Sequence, residues 1–180
     1  MNPKFLARIL AIAGCLMVFG VAVSLRAQSS KPQPSVVGWN EGEVLFDRRG
    51  RTTSINVSPA TGSTTLGLTT QDMPAGTGIP VHRHDRTEEL LFIHSGEATI
   101  IVGDERIDVE AGTTIYVPAG AYHGLENPES NVQIVGIVTP PGLEQAFREM
   151  FWHPGEQPKI LSEDELAAIG LRFDNVLRPD

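Results

Sequence analysis

The chain has 180 residues, room for one domain with a proper core, and carries 14 basic against 22 acidic residues, a net charge of −8. Such an acidic surface repels phosphate backbones and anionic lipid, which argues against a nucleic-acid partner. Its single cysteine, Cys15, leaves the body of the chain without thiols and so without disulfides.

The first 27 residues stand apart from the rest. Lys4 and Arg8 precede an uncharged apolar run over residues 9–25, and small residues follow it. A basic start, an apolar stretch and a small-residue zone describe an export signal, with cleavage after Ala27 or after Ser24. Two further readings stay open: an uncleaved anchor, since the run is at the short edge for a membrane span, and a lipoprotein signal around Ile12-Ala13-Gly14-Cys15. Either address, periplasmic or secreted, is outside the cytoplasm, and membrane contact is expected only through this segment. Cleavage after Ala27 would remove Lys4, Arg8 and Arg26 and no acid, making the domain more acidic still. Residues 28–40, polar and proline-containing, are expected to form a flexible linker.

From residue 41 to 139 short alternating segments recur between turn signals, the pattern of an all-β domain. The predicted strands are EVLFD from Glu43, TTSINVS from Thr52, TTLGLTTQDM ending at Met73, and a strand pair within residues 76–96. EATIIV and RIDVE follow as a hairpin turning at Gly103-Asp104, then TTIYVP, and then NVQIVGIVT after an NPES turn. Eight to ten such strands suffice to wrap two packed sheets into a barrel around a cavity. No internal repeat is present, so one barrel is expected.

Within that pattern His82 and His84 are one residue apart on a predicted strand, so both imidazoles face the same way. A short polar bend separates them from Glu89, which returns on the next strand. Two nitrogens and one oxygen from rigid strands suit a first-row transition metal. Leu91 and Ile93 share the face of Glu89, and His94 takes the other face, where a ligand role is not expected.

A second stretch supplies His123 after a Pro-Ala-Gly turn. With it the chain resembles the cupins, whose first motif is matched by Gly76, His82, His84, Glu89 and Gly96. The second is matched by Gly112, Pro118, Gly120, His123 and Asn127. The 15 residues between Gly96 and Gly112 fit the compact bacterial members. The resemblance covers about 100 residues. It implies a jelly-roll cupin barrel, metal ligands His82, His84, Glu89 and His123, and one divalent ion (Fe, Mn, Ni, Co, Cu or Zn). A homodimer paired through strand edges is implied as well. Asn127 is expected to bond local backbone rather than metal, and the motif glycines to permit turns.

Residues 140–180 change character. LEQAFREMF places Leu143, Phe147 and Met150 or Phe151 at helical spacing, either sealing a barrel edge, the preferred reading, or forming a lid over substrate. His153 has no spacing partner and is left out of the site. Ser162 and Glu165 form a capping box before EDELAAI, which Gly170 is expected to close. This extension is expected to serve as a surface or subunit contact.

The flanking runs around the first motif and after residue 139 are similar to the small cupins labelled flavonol (quercetin) dioxygenase-like. In that group dioxygen cleaves an enol or phenol with the glutamate as base. Carried over, Glu89 would be ligand and catalytic base, and Met73, Leu91 and Phe147 would be substrate-pocket candidates. The alternatives are a metal-dependent isomerase, lyase or decarboxylase with the same ligands, and a non-catalytic binder of small molecules.

Overall fold

The computed structural model describes residues 33–179. The expected export signal and the first part of the expected linker lie outside them. Among the described residues no helix is long and apolar enough to cross a membrane.

The chain folds into a jelly-roll barrel of two facing antiparallel sheets. In chain order the strands are β1 (Glu43–Phe46), β2 (Thr52–Val57), β3 (Gly67–Met73), β4 (Ile79–Arg83), β5 (Glu88–Ser95), β6 (Glu97–Val102), β7 (Glu105–Glu110), β8 (Thr114–Val117), β9 (His123–Glu126) and β10 (Val132–Thr139). Two helices follow, α1 (Glu144–Met150) and α2 (Glu163–Arg172), and then a two-residue strand, β11 (Val176–Leu177). One sheet runs β1-β2-β3-β10-β5-β8, the other β11-β4-β9-β6-β7. The β6–β7 hairpin turns at Gly103-Asp104, with Val102 opposite Glu105, as the Gly-Asp signal predicts.

Alternation along each strand decides what enters the barrel. On β8, Ile115 and Val117 are buried while Thr114 and Tyr116 face out. On β10, Val132 and Ile134 are buried between half-exposed neighbours. Ile93, Ile134, Ile100 and Leu125 from both sheets meet in the core with Met73 and Leu91. His94 faces out, where its ring sits 4.7 Å from that of Trp39.

Trp39 and Asn40, within the span expected as linker, both hydrogen-bond the Asp72 carboxylate, and the Trp39 carbonyl accepts from Thr70 Oγ1. Contact with the barrel therefore begins before residue 41.

The C-terminal segment departs furthest from expectation. The Ser162–Glu165 capping box is present. Gly170, however, does not end α2, which runs on to Arg172 and closes with Asp174 in the left-handed region at φ 64°. Gly170 is needed for a close approach instead: a Cβ there would lie 2.6 Å from the Asn175 carbonyl oxygen. That sharp turn sends the chain back as β11, which pairs with the edge of β4, Leu177 opposite His82 and Val176 opposite Arg83. The end of the extension is thus paired into the barrel through β11, while most of α2 lies exposed on the surface.

Two motif glycines separate backbone strain from packing. Both Gly96 and Gly112 have positive φ (86° and 94°), but a Cβ at Gly112 meets open space while one at Gly96 would stand 2.1 Å from the Asn131 carbonyl oxygen. Gly112→Ala should cost about 1–2 kcal/mol for the left-handed backbone alone. Gly96→Ala adds an overpacking cost of a further ~1–3 kcal/mol. Urea denaturation of the two variants should show this order, and equal losses would contradict it.

Candidate metal centre

β4 and β5 leave the barrel wall with their inward side chains at one end of the cavity, and β9 brings His123 opposite His82 across the β4–β9 pairing. Three side chains are thereby buried against one another: His82 is 7%, His84 3% and His123 1% exposed. Their ring centroids lie 4.3 to 5.2 Å apart. Glu89 closes the group from β5, its Oε2 2.8 Å from His123 Nε2 and 3.4 Å from His84 Nε2. One donor atom from each of the four lies within 4.8 Å of the other three.

Each imidazole is aimed through its other nitrogen. Nδ1 of His82 lies 2.8 Å from the Pro80 carbonyl, Nδ1 of His84 2.6 Å from the Asp174 carbonyl, and Nδ1 of His123 3.1 Å from the Ala121 carbonyl. A carbonyl can only accept, so each Nδ1 carries a proton and Nε2 is the nitrogen turned into the group. There Nε2 of His123 and His84 faces Glu89, which also only accepts, and a metal would take the place of a proton on these nitrogens. Anchored rings of this kind are how histidines are held for a metal. Three imidazole nitrogens and one carboxylate oxygen fit a divalent first-row ion, and on an octahedral ion they would leave positions for small molecules.

The electrostatics of the metal-free group agree. Burial, then the neighbouring His123 and His84, lowers the His82 pKa to about 3, so that ring is a neutral donor throughout the physiological range. As the pH falls below the ordinary value of 6.5, unfolded chains bind a proton that folded His82 refuses, and stability declines. Burial, the largest influence on Glu89, works to raise its pKa, but hydrogen bonds from His123 and His84 outweigh it and hold the carboxylate below its usual range. Burial likewise acts to lower the His84 value, and the bond to Glu89 reverses that to a net rise.

Asn127 takes no place among the ligands. Its Nδ2 donates to the carbonyls of Met73, Pro74 and Ser130, and its Oδ1 accepts from Gly78 N–H at 2.8 Å. It fixes the loop that leads into β4 and so the start of the strand carrying His82. His153 lies away from the group, 3.2 Å from Glu43.

The ligand group forms the floor of a cavity of about 380 Å3. Leu91 and Phe147 line it, together with Leu143, Met150, Leu161 and Leu166. Met73 does not: at 1% exposed it is enclosed in the barrel core. The helix α1 both seals and lines, since Phe151 packs with Leu45 and Ile55 while Phe147 stacks on it 5.4 Å away. Sequence reasoning missed the α2–β11 turn: Gly170, Asn175 and Leu177 also line the cavity.

Residues 69–138 match the family model described as "Cupin domain". The quercetin 2,3-dioxygenase of Bacillus subtilis is 27% identical over 105 residues, 58% of this chain and 30% of that protein. Among solved structures, the polyketide cyclase RemF from Streptomyces resistomycificus superposes with a TM-score of 0.55 at 18% identity, covering 74% of this chain and 91% of that one. KdgF from Halomonas sp. does so with a TM-score of 0.54 at 16% identity, covering 60% and 94%. The chain spans about half, or less, of the length of the curated relatives it matches. The structural likenesses bear on the fold.

Metal binding must displace the proton that Glu89 helps His84 to hold, so loading the metal-free protein near neutral pH should release protons. Calorimetric titration with Zn2+ in two buffers of different ionisation enthalpy should give different apparent heats at pH 7. The difference should shrink as the pH rises through the elevated His84 value. Identical heats at pH 7 would contradict the arrangement.

Proposed function

Since residues 69–138 match the cupin domain model, we propose that this chain is an exported, metal-dependent oxidoreductase of the dioxygenase type, acting on a small enol or phenolic metabolite. The observation that carries the reading is the place of Glu89, an ionised carboxylate among three imidazole Nε2 atoms at the floor of a largely apolar cavity. The basic and then apolar run at the N-terminus supports export. The relationship to a quercetin dioxygenase supports the substrate class.

His82, His84, His123 and Glu89 would hold the ion. When bound, a divalent transition metal supplies a Lewis acid that acidifies a hydroxyl and a place where dioxygen and substrate meet. The remaining work belongs to the chain. Glu89 accepts the proton of an enol or phenol hydroxyl delivered to the cavity floor, for which an ionised oxygen within hydrogen-bond reach is the first requirement. Leu91 at the wall and Phe147 above exclude water and offer flat apolar surface to a ring. Removing water would also strengthen the attraction between a deprotonated substrate and a cation held by these four residues.

The test is oxygen uptake by protein loaded in turn with Fe, Mn, Co, Ni, Cu and Zn, supplied with a flavonol or a β-diketone. Uptake matching substrate loss is expected for at least one metal. Glu89→Gln should lower kcat by about 10²–10⁴-fold. Absence of uptake with every metal would overturn the dioxygenase reading. Substrate loss under strict anaerobiosis would place the reaction with isomerases, lyases or decarboxylases instead.

A further inference from the structure

We propose that Asp174, outside both ligand motifs, is a positioning residue of the metal centre: it fixes His84 through its carbonyl and the loop between His84 and Glu89 through its carboxylate. The inference rests on the four-residue group binding a metal, and not on the reaction assigned to it.

The argument begins with an asymmetry among the three imidazoles. His82 and His123 each find their Nδ1 acceptor two residues upstream, at Pro80 and Ala121. Their orientation is written into the same stretch of chain. The acceptor for His84 is the Asp174 carbonyl, 90 residues downstream, at 2.6 Å. Without that carbonyl the His84 ring loses the partner that holds its Nδ1, and only the 3.4 Å contact of its Nε2 with Glu89 is left to orient it.

The Asp174 side chain acts on the same part of the site. Its carboxylate accepts from Asp85 N–H at 2.9 Å, from Arg86 N–H at 3.0 Å and from Thr87 Oγ1 at 2.8 Å. These three residues form the whole connection between His84 and Glu88, so one carboxylate gathers the bend that sets His84 and Glu89 relative to each other. Arg86 lies 3.6 Å from the same carboxylate but is largely exposed. Asp174 and Thr87 are themselves buried, 7% and 5% exposed. Their bond is therefore shielded from competing water.

Backbone conformation ties the two functions together. Asp174 is the one residue other than glycine with positive φ among the described residues. That left-handed turn lets a single residue point its carbonyl at His84 and its carboxylate at residues 85–87. The turn is held from both sides, by the Asn175 N–H bond to the Gly170 carbonyl at 2.9 Å and by β11 on the edge of β4.

The experiment compares the full chain with Asp174→Ala, Asp174→Gly and Thr87→Val. An exposed control on α2, Asp164→Ala, accompanies them. Each is titrated with Co2+ while its visible absorption is recorded, and folding is followed by far-ultraviolet circular dichroism. Asp174→Ala should bind Co2+ about 10–100-fold more weakly, as loss of an outer-shell partner does, with altered band positions and intensities. Asp174→Gly keeps the left-handed backbone and the carbonyl, so it should lose part of that affinity through residues 85–87 alone. Thr87→Val, which removes one bond of the clamp and is expected to fold even if Asp174→Ala does not, should show a smaller loss in the same direction. The control should match the parent. Parent-like affinity and spectra in folded Asp174→Gly and Thr87→Val would overturn the positioning role while leaving the metal centre standing. A parent chain that binds no Co2+ would overturn the metal centre itself, and the inference with it.

Discussion

Everything functional in this molecule depends on three imidazoles being prevented from turning. A histidine ring on a strand can rotate, and its two nitrogens are chemically alike until one is committed. Here each Nδ1 is committed to a backbone carbonyl, so the three Nε2 atoms face one another and a carboxylate. Burying such a cluster without a counter-ion is unfavourable, as the suppressed basicity of His82 records. The bonds between Glu89 and its histidine neighbours offset part of that cost in the metal-free protein. A bound cation would offset far more, since all four groups then face the charge they suit. The barrel tolerates an unfavourable pocket because its strands are hydrogen-bonded elsewhere, and rigid strands keep the donors from relaxing apart.

What could be read from the chain, and what could not, follows the range of the forces involved. His82, His84 and Glu89 were legible as groups sharing a face because alternation along a strand is a local property, and the resemblance to the cupin motifs joined His123 to them as a ligand set. Asn127 was legible as a backbone partner, but only its Ser130 contact is local; its bonds to Met73, Pro74 and Gly78 cross 49 to 54 residues of chain. The short strand β9 was not marked as a strand, because HGLE is too brief to show a period and its pairing comes from β4 and β6. Met73 shows a different limit. It faces inward as alternation requires, but core and cavity are both inward, and only its place along the barrel axis puts it in the core. Gly170 has the composition of a helix stop and serves instead to admit a carbonyl oxygen from a turn five residues on. No local rule distinguishes those two uses of glycine.

Least legible of all was the last stretch, because its meaning is entirely long-range. Strand β11 has two residues and no pattern, and Asp174 belongs to no motif. Yet this segment supplies the acceptor for His84 and binds the bend leading to Glu89. The ligands come from motifs that many barrels can share, and the support for one of them comes from a part of the chain where no motif is to be found. A site can therefore be recognised from a few letters while the features that tune it stay hidden in segments of unremarkable composition.

That arrangement has a consequence for how the cavity and the ligand group relate. Gly170, Asn175 and Leu177 line the cavity, and between Gly170 and Asn175 stands the residue that holds His84. The wall a substrate would touch and the outer support of a ligand are thus the same few residues. The other two imidazoles take their Nδ1 support from carbonyls two residues away, although β11 also pairs with β4 at His82. A displacement of the α2–β11 turn would reach His84 and the bend to Glu89 through Asp174, and the backbone at His82 through the β4–β11 pairing. The carboxylate is thus coupled to the cavity wall through the bend that precedes it. In a group whose proposed base is that carboxylate, binding in the cavity and placement of the base share one structural element.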